Sequence, residues 1–286
     1  MILIVIFISG FLEILNLGRK LNMKTQTEEL VTGRMNTIDC GNGLRIHVYD
    51  TCDALSDQVI FVERAKKAVA LELPCFKNTI EAVSEWIAKN GIELEAKLVA
   101  YHCAGSTFYP DVKVLMTESA ANYNDHGQGK HLVDSFAGAF GESFDSTMPK
   151  NVEIIGAGKH EIAGIEFDIV PNSEAYSVEI PEANAVYIHM LGHDCHSIIA
   201  GRDHADSFID ELEGYLARGF KLFLSSHYVP ETVDDVKAKI SYLENLKTIA
   251  DSCSNADEFR DAVNKAYPGY SGANYLDMTA KMFFPQ

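Results

Sequence analysis

The feature that most limits the fold of this 286-residue chain is a pattern that occurs twice: short alternating β-type runs, then helical periodicity. From Asn36 the runs NTIDC, LRIHVYD, QVIFVE and KKAVALEL are separated by turn-rich pieces such as GNG and CDALSD, which reads as an antiparallel meander. Pro74 closes the last run. Asn78 and Glu81 have the spacing of a capping box for a helix to Asn90, with Ile80, Val83 and Ile87 on one face and Gly91 as its stop. The strand ELEAKLVAYHC then carries His102 to its end, and VKVLMT completes a β-α-β unit. Helical periodicity returns around Glu118 to Tyr123 and in KHLVDSFAGAF.

The second round has the strands VEIIG, IEFDIVP, AYSVEIP and AVYIHML, followed by the helix DSFIDELEGYLARG. A strand KLFLSS leads to His227, a long helix runs from about Thr232 to Asp251, and DEFRDAVNKAY and NYLDMTAKMF close the chain. Strand groups each followed by helices imply an α/β (α+β) class, with two sheets packed together and helices outside. No linker or composition shift marks a second domain, so residues 36–286 are expected to form one domain. Residues 1–35 are read as an apolar N-terminal arm or a mis-assigned start, with Met23 or Met35 as the true beginning.

The opening MILIVIFISGFLEILNLGRK is apolar but interrupted by Gly10, Glu13 and Asn16, too short for a good membrane span and without the basic flank of a signal peptide. Stable membrane insertion is therefore not expected. A formal charge of −17 repels a phosphate backbone, and no Lys/Arg cluster offsets it, which argues against nucleic acid as a partner. The six cysteines are scattered with no CxxC pair, which fits reduced thiols in a cytoplasmic protein.

Three histidine-bearing places lie at or just after the C-terminal end of an expected strand: His102, the segment IHMLGHDCHS, and His227. Strand ends are where α/β proteins gather ligand-binding groups, because the sheet fixes the backbone while the loops stay free to vary. Within the segment, His189 reads as structural, facing the sheet interior or its outer layer. His204 reads as a helix-start residue, with Asp206 as N-cap. Cys103 and Cys195 invite nucleophile and thiolate readings, but a free cysteine is most often a small buried apolar residue. The aromatic C-terminus reads as core packing or a homodimer interface.

The order of these parts, VALELPCF into a helix, a strand ending in Tyr101-His102, then IEFDIVPNSEAYSVEIPEANAVYIHMLGHD and KLFLSSHYVPET, resembles the metallo-β-lactamase fold. The likeness covers about residues 36 to 245. It implies a four-layer αββα sandwich with one or two metal ions, commonly zinc, at one edge, and hydrolysis of esters, thioesters, lactams or phosphodiesters. A divalent ion supports that chemistry by lowering the pKa of its water to about 7.

Against the family's H-x-H-x-D-H signature this chain offers His102-Cys103-Ala104-Gly105-Ser106-Thr107, so only the first ligand remains. The histidine expected before the second hairpin falls near Asn172-Ser173-Glu174, where Glu174 is a group able to bind metal. The Gly-Asp that supplies a bridging carboxylate corresponds to Gly192-His193-Asp194, and His227 fits the last histidine. The usual two-metal site cannot be built from these positions. The resemblance instead implies one zinc or iron ion held by His102, His193 and His227, with Asp194 or His196 adding a ligand. Asp194, Tyr228 and Ser106 are the expected catalytic or substrate-orienting groups, and the expected substrate is a small ester, lactone or thioester. Two alternatives stand beside this reading: a non-catalytic scaffold without metal that binds a small ligand or a protein, and redox chemistry at an iron centre.

Overall fold

The computed structural model describes residues 23–285. The expectation for the apolar arm lies outside these residues as far as residue 22. In chain order the strands of the first sheet are β1 (Lys24–Glu29), β2 (Arg34–Gly41), β3 (Leu44–Asp50), β4 (Gln58–Arg64), β5 (Lys67–Leu71), β6 (Glu93–Leu98), β7 (Val114–Met116) and β8 (Val152–Ile154). They lie side by side in that order, antiparallel from β1 to β5 and parallel from β5 to β8. The second sheet holds β9 (Gly158–Ile162), β10 (Ile165–Pro171), β11 (Tyr176–Ile180), β12 (Ala185–Tyr187), β13 (Leu222–Leu224) and β14 (Glu231–Thr232). Its neighbours are antiparallel except the parallel pair β12 and β13.

Two sheets with helices on their outer sides make the expected four-layer αββα sandwich. Helices α1 (Lys77–Asn90), α2 (Glu118–Asp125) and α3 (Gln128–Phe140) belong to the first half, and α4 (Arg202–Ala217), α5 (Val233–Asp251), α6 (Ala256–Ala266) and α7 (Ala273–Phe283) to the second. Strand β10 shows why the sheets meet: Ile165, Phe167 and Ile169 are buried while Glu166 and Asp168 alternate outward. They join Ile46, Ile60, Val62 and Leu98 of the first sheet in one continuous core. A second core lies on the other face of the second sheet, where Val186 and Phe223 pack against Leu212, Leu243, Phe259 and Leu276 of the covering helices. Burial of each such side chain contributes about 1.5–3 kcal/mol. Among the described residues no helix is long and apolar enough to cross a membrane.

Several local expectations change. β1 is polar, KTQTEE, yet pairs along its whole length with β2, so the sheet begins before residue 36. Asn78 is not a cap: α1 begins at Lys77 after Phe76, and the Thr79 hydroxyl donates to the Phe76 carbonyl at 2.8 Å. Gly91 does end the helix, in the left-handed conformation with φ 62°. Asp206 lies inside α4, whose N-cap is Gly201. His204 holds its first turn by accepting the Ala200 N–H at Nδ1. Thr232 and Asp235 form a capping box at the start of α5. The C-terminal aromatics pack within the chain, with Phe283 stacked on Phe259 and Tyr267 and Tyr270 against Tyr242.

Candidate metal centre

The site begins with a carboxylate that shapes the loop after β6. Glu72, fully buried just beyond β5, has φ 65°, a strained conformation for a side chain of its size. Its carboxylate accepts the backbone N–H of Ala100 at 3.3 Å, Tyr101 at 3.0 Å and His102 at 2.8 Å, and the Tyr187 hydroxyl at 2.8 Å. The loop that carries His102 is thereby fixed to both sheets. Gly105 completes it: at φ 86° it passes so close to Pro74 that a Cβ would lie 1.9 Å from the Pro74 carbonyl oxygen.

The parallel register of β12 and β13, with Tyr187 opposite Leu224, brings the chain past both strands to the same edge. His189 follows one and His227 the other. The Ser225 hydroxyl donates to the His189 carbonyl at 2.8 Å, and the Ser226 N–H donates to it at 3.2 Å, locking the two strand ends together. The rings of His102, His189 and His227 meet edge to face, with centroids 4.9 to 5.1 Å apart. Each offers one ring nitrogen within 4.8 Å of the other two. Nδ1 of His102 and Nδ1 of His189 are buried with no hydrogen-bond partner. Such orphaned nitrogens are costly unless something else uses them.

Asp57, 2 % exposed just before β4, faces His102 and His227. Its Oδ1 lies 3.3 Å from His227 Nδ1 and 3.9 Å from His102 Nδ1. Burial works to raise the Asp57 carboxyl, but the two imidazoles and the Cys75 thiol outweigh it and hold the carboxyl below its usual range. Burial pulls the His102 imidazole down against the attraction of Asp57. Burial, with the neighbouring His102 and His227, pushes His189 well below the usual histidine value. Neutral imidazoles with free lone pairs are the form that binds a metal. Three imidazoles converging, with a carboxylate beside two, fit a divalent zinc- or iron-class ion with an open position.

The structure thus brings His102 and His227 together as the sequence reading expects, but with His189 in the place given to His193. His193 turns away and pairs with Glu231, Nδ1 to Oε1 at 2.7 Å, because Glu231 on β14 is buried and also accepts its backbone N–H. Asp194 is exposed, and its carbonyl accepts the Ser271 N–H. His196 is buried on the helical side, with Nδ1 2.9 Å from the Tyr242 hydroxyl, and burial lowers its pKa to about 4. Tyr228 places its hydroxyl 2.6 Å from Cys195 Sγ, its ring filling the space left by Gly192. Ser106 is buried and donates to the Cys103 carbonyl at 3.2 Å, so its hydroxyl is used inside the loop. Glu174 is exposed in a turn built on Asn172. Cys103 is buried, with Sγ 3.4 Å from Met148 Sδ, and Cys195 is buried as well.

Two residues around the site are not read as functional from the sequence: Asp57 is not singled out, and His189 reads as structural. Asp57 has no local motif, since its partners lie 45 and 170 positions away in the chain. For His189 a signal exists: the buried triplets AVY and LFL of adjacent parallel strands are each followed within three residues by histidine.

The architecture, with its site at the edge between the sheets, is the metallo-β-lactamase fold. The stereoselective inverting sec-alkylsulfatase Pisa1 from Pseudomonas sp. superposes with a TM-score of 0.60 at 13 % identity over 88 % of this chain and 49 % of its own. This chain therefore spans about half the length of that sulfatase. A metallo-beta-lactamase family protein from Thermus thermophilus gives 0.57 at 12 % identity, over 84 % of this chain and 91 % of its own. A metallo-β-lactamase from Erythrobacter litoralis gives 0.51 at 10 % identity, over 77 % of this chain and all of its own. No family model matches the sequence, and no curated protein matches it.

Proposed function

We propose that the protein is a metal-dependent hydrolase with a single-ion centre on His102, His189 and His227, acting on a small ester, lactone or thioester. The observation that carries this is the convergence of three imidazoles within 4.8 Å, two of them with a buried, unpartnered ring nitrogen. Three histidines and an open position are the ligand set of a catalytic zinc site, and iron is the other ion such a set suits. When bound, the ion supplies a water acidic enough to ionise near neutral pH and a Lewis acid for a carbonyl oxygen.

The chain's own groups have separate tasks. Asp57 Oδ1, 3.3 Å from His227 Nδ1, is placed to orient that ring and leave its other nitrogen to the ion. Tyr101 stacks on His189 with planes 14° apart and sets its ring orientation. Its hydroxyl and the Asn172 amide are bonded to each other at the surface, and both can turn toward a bound substrate. The loss of ligand residues after His102 limits this centre to one ion at the histidines. The alkylsulfatase among the similar structures makes a sulfate ester a further substrate class to screen.

The test is elemental analysis of protein purified without added metal, beside a His102→Ala, His227→Ala double variant, followed by a screen of esters, lactones and thioesters. Loss of one equivalent of zinc or iron per chain in the variant supports the reading, and protein without transition metal overturns it. A second reading, a metal-free scaffold that binds a small ligand, has one observation in its favour: the emptied signature from Cys103 to Thr107. A cytoplasmic setting and homodimerisation belong to the proposal too, the latter read from the mass in solution.

A further inference from the structure

A second cluster of metal-ligating groups sits beside the three histidines and has in common with the proposed centre only Asp57, which is no ligand there. Asp53 and Asp57 come from the loop between β3 and β4, and Cys75 from the segment after β5. Each brings one donor atom within 4.8 Å of the other two. Asp57 is 2 % exposed and Cys75 4 %. The Cys75 thiol donates to Asp57 Oδ2 at 3.4 Å, which leaves the cluster far from satisfied. Asp53 Oδ2 is buried without any hydrogen-bond partner, whereas the unbonded Asp57 Oδ1 faces His227 and His102. Among the described residues Asp57 forms ion pairs only with His102 and His227, and Asp53 forms none. The buried Asp57 carboxylate and the partly buried Asp53 carboxylate repel each other when both are ionised, and a cation between them removes that repulsion.

We propose that Asp53, Asp57 and Cys75 form a second site for a divalent cation, one that takes a thiolate ligand. The donor set decides the class of ion. A sulfur with two carboxylate oxygens suits zinc or cobalt, whereas magnesium and calcium take oxygen alone. Binding breaks the Cys75 S–H bond, forms a sulfur–metal bond and releases the proton to solvent. The ion enters through the 52–56 loop, where Cys52, Ala54 and Ser56 are exposed. Asp57 then has one oxygen toward Cys75 and the other toward His227, linking two sites that share no donor residue. Either site can therefore be filled without the other.

Cobalt(II) titration of metal-stripped protein separates the two. Thiolate coordination gives a near-ultraviolet charge-transfer band that imidazoles do not produce. The expected result is two cobalt ions per chain and a thiolate band. Cys75→Ser abolishes the band and one equivalent, Asp53→Asn weakens the same event at least tenfold, and Cys52→Ser leaves it intact. If the three-histidine reading alone is wrong, uptake is one equivalent with the band still present. The proposal is overturned by the absence of a thiolate band, by a band that survives Cys75→Ser, or by one that disappears with Cys52→Ser. Because Asp53→Asn lies in an exposed loop, it keeps the test decisive should Cys75→Ser fail to fold.

Discussion

His189 lies flat against Tyr101, their ring centroids 4.0 Å apart and their planes inclined by 14°. One residue comes from the second sheet and the other from the loop of the first, so the stack spans the junction where the three histidines meet. It orients a ring whose Nδ1 has no hydrogen bond to hold it.

Removing that support weakens the centre without touching a ligand. Tyr101→Ala is expected to lower zinc affinity about 10-fold to 100-fold, in the range of other outer-shell changes, while Tyr101→Phe keeps the stack and most of the affinity. Competition against a chromophoric chelator measures both. Equal affinities for the two variants contradict the orienting role.

Glu72 carries a heavier structural duty. Its carboxylate collects three backbone N–H groups and the Tyr187 hydroxyl in a fully buried place, so Glu72→Gln sets an amide N–H against donors. A loss of about 2–4 kcal/mol in urea unfolding is expected. A loss below about 0.5 kcal/mol, the range of a neutral surface change, contradicts this account.

Gly105→Ala is predicted to be worse than its single methyl suggests. The new Cβ meets the Pro74 carbonyl oxygen at 1.9 Å and the backbone has φ 86°, so the loop must move. Destabilisation of at least about 2 kcal/mol is expected, together with loss of metal through displacement of His102. Thermal unfolding and metal analysis of one preparation test both parts.

The His193–Glu231 pair gives stability a pH dependence. The hydrogen bond to Glu231 raises the His193 pKa, against the effect of burial. A raised folded-state pKa means that this contribution is complete below the unfolded value, about 6.5, and is lost as pH rises through the folded value. The melting-temperature difference between the natural protein and His193→Gln is therefore expected to be larger at about pH 5.5 than at about pH 8.5. A difference independent of pH contradicts the charged pair.

The double βα pattern and the run from VALELPCF to KLFLSSH carry the fold, because period-2 and helical patterning survive where ligand residues change. β1 was hidden because KTQTEE is an edge strand with too little apolar alternation to read. At the site, His102 and His227 are legible as residues after buried strands. His193 and Asp194 looked like ligands only because they follow Gly192, whereas β12 ends at Tyr187 and the chain reaches the site two residues later, at His189. His196 misleads for another reason: its partner Tyr242 lies on α5, 46 positions on, and local sequence does not show that distance. Asp57 is defined by packing alone.

The central claim, that His189 and not His193 completes the three-histidine centre, is tested most directly by metal analysis of the natural protein, His189→Ala and His193→Ala purified in parallel. The account predicts that His189→Ala loses one equivalent of zinc or iron per chain while His193→Ala keeps the natural content. Full metal retained in His189→Ala, with loss in His193→Ala, contradicts it.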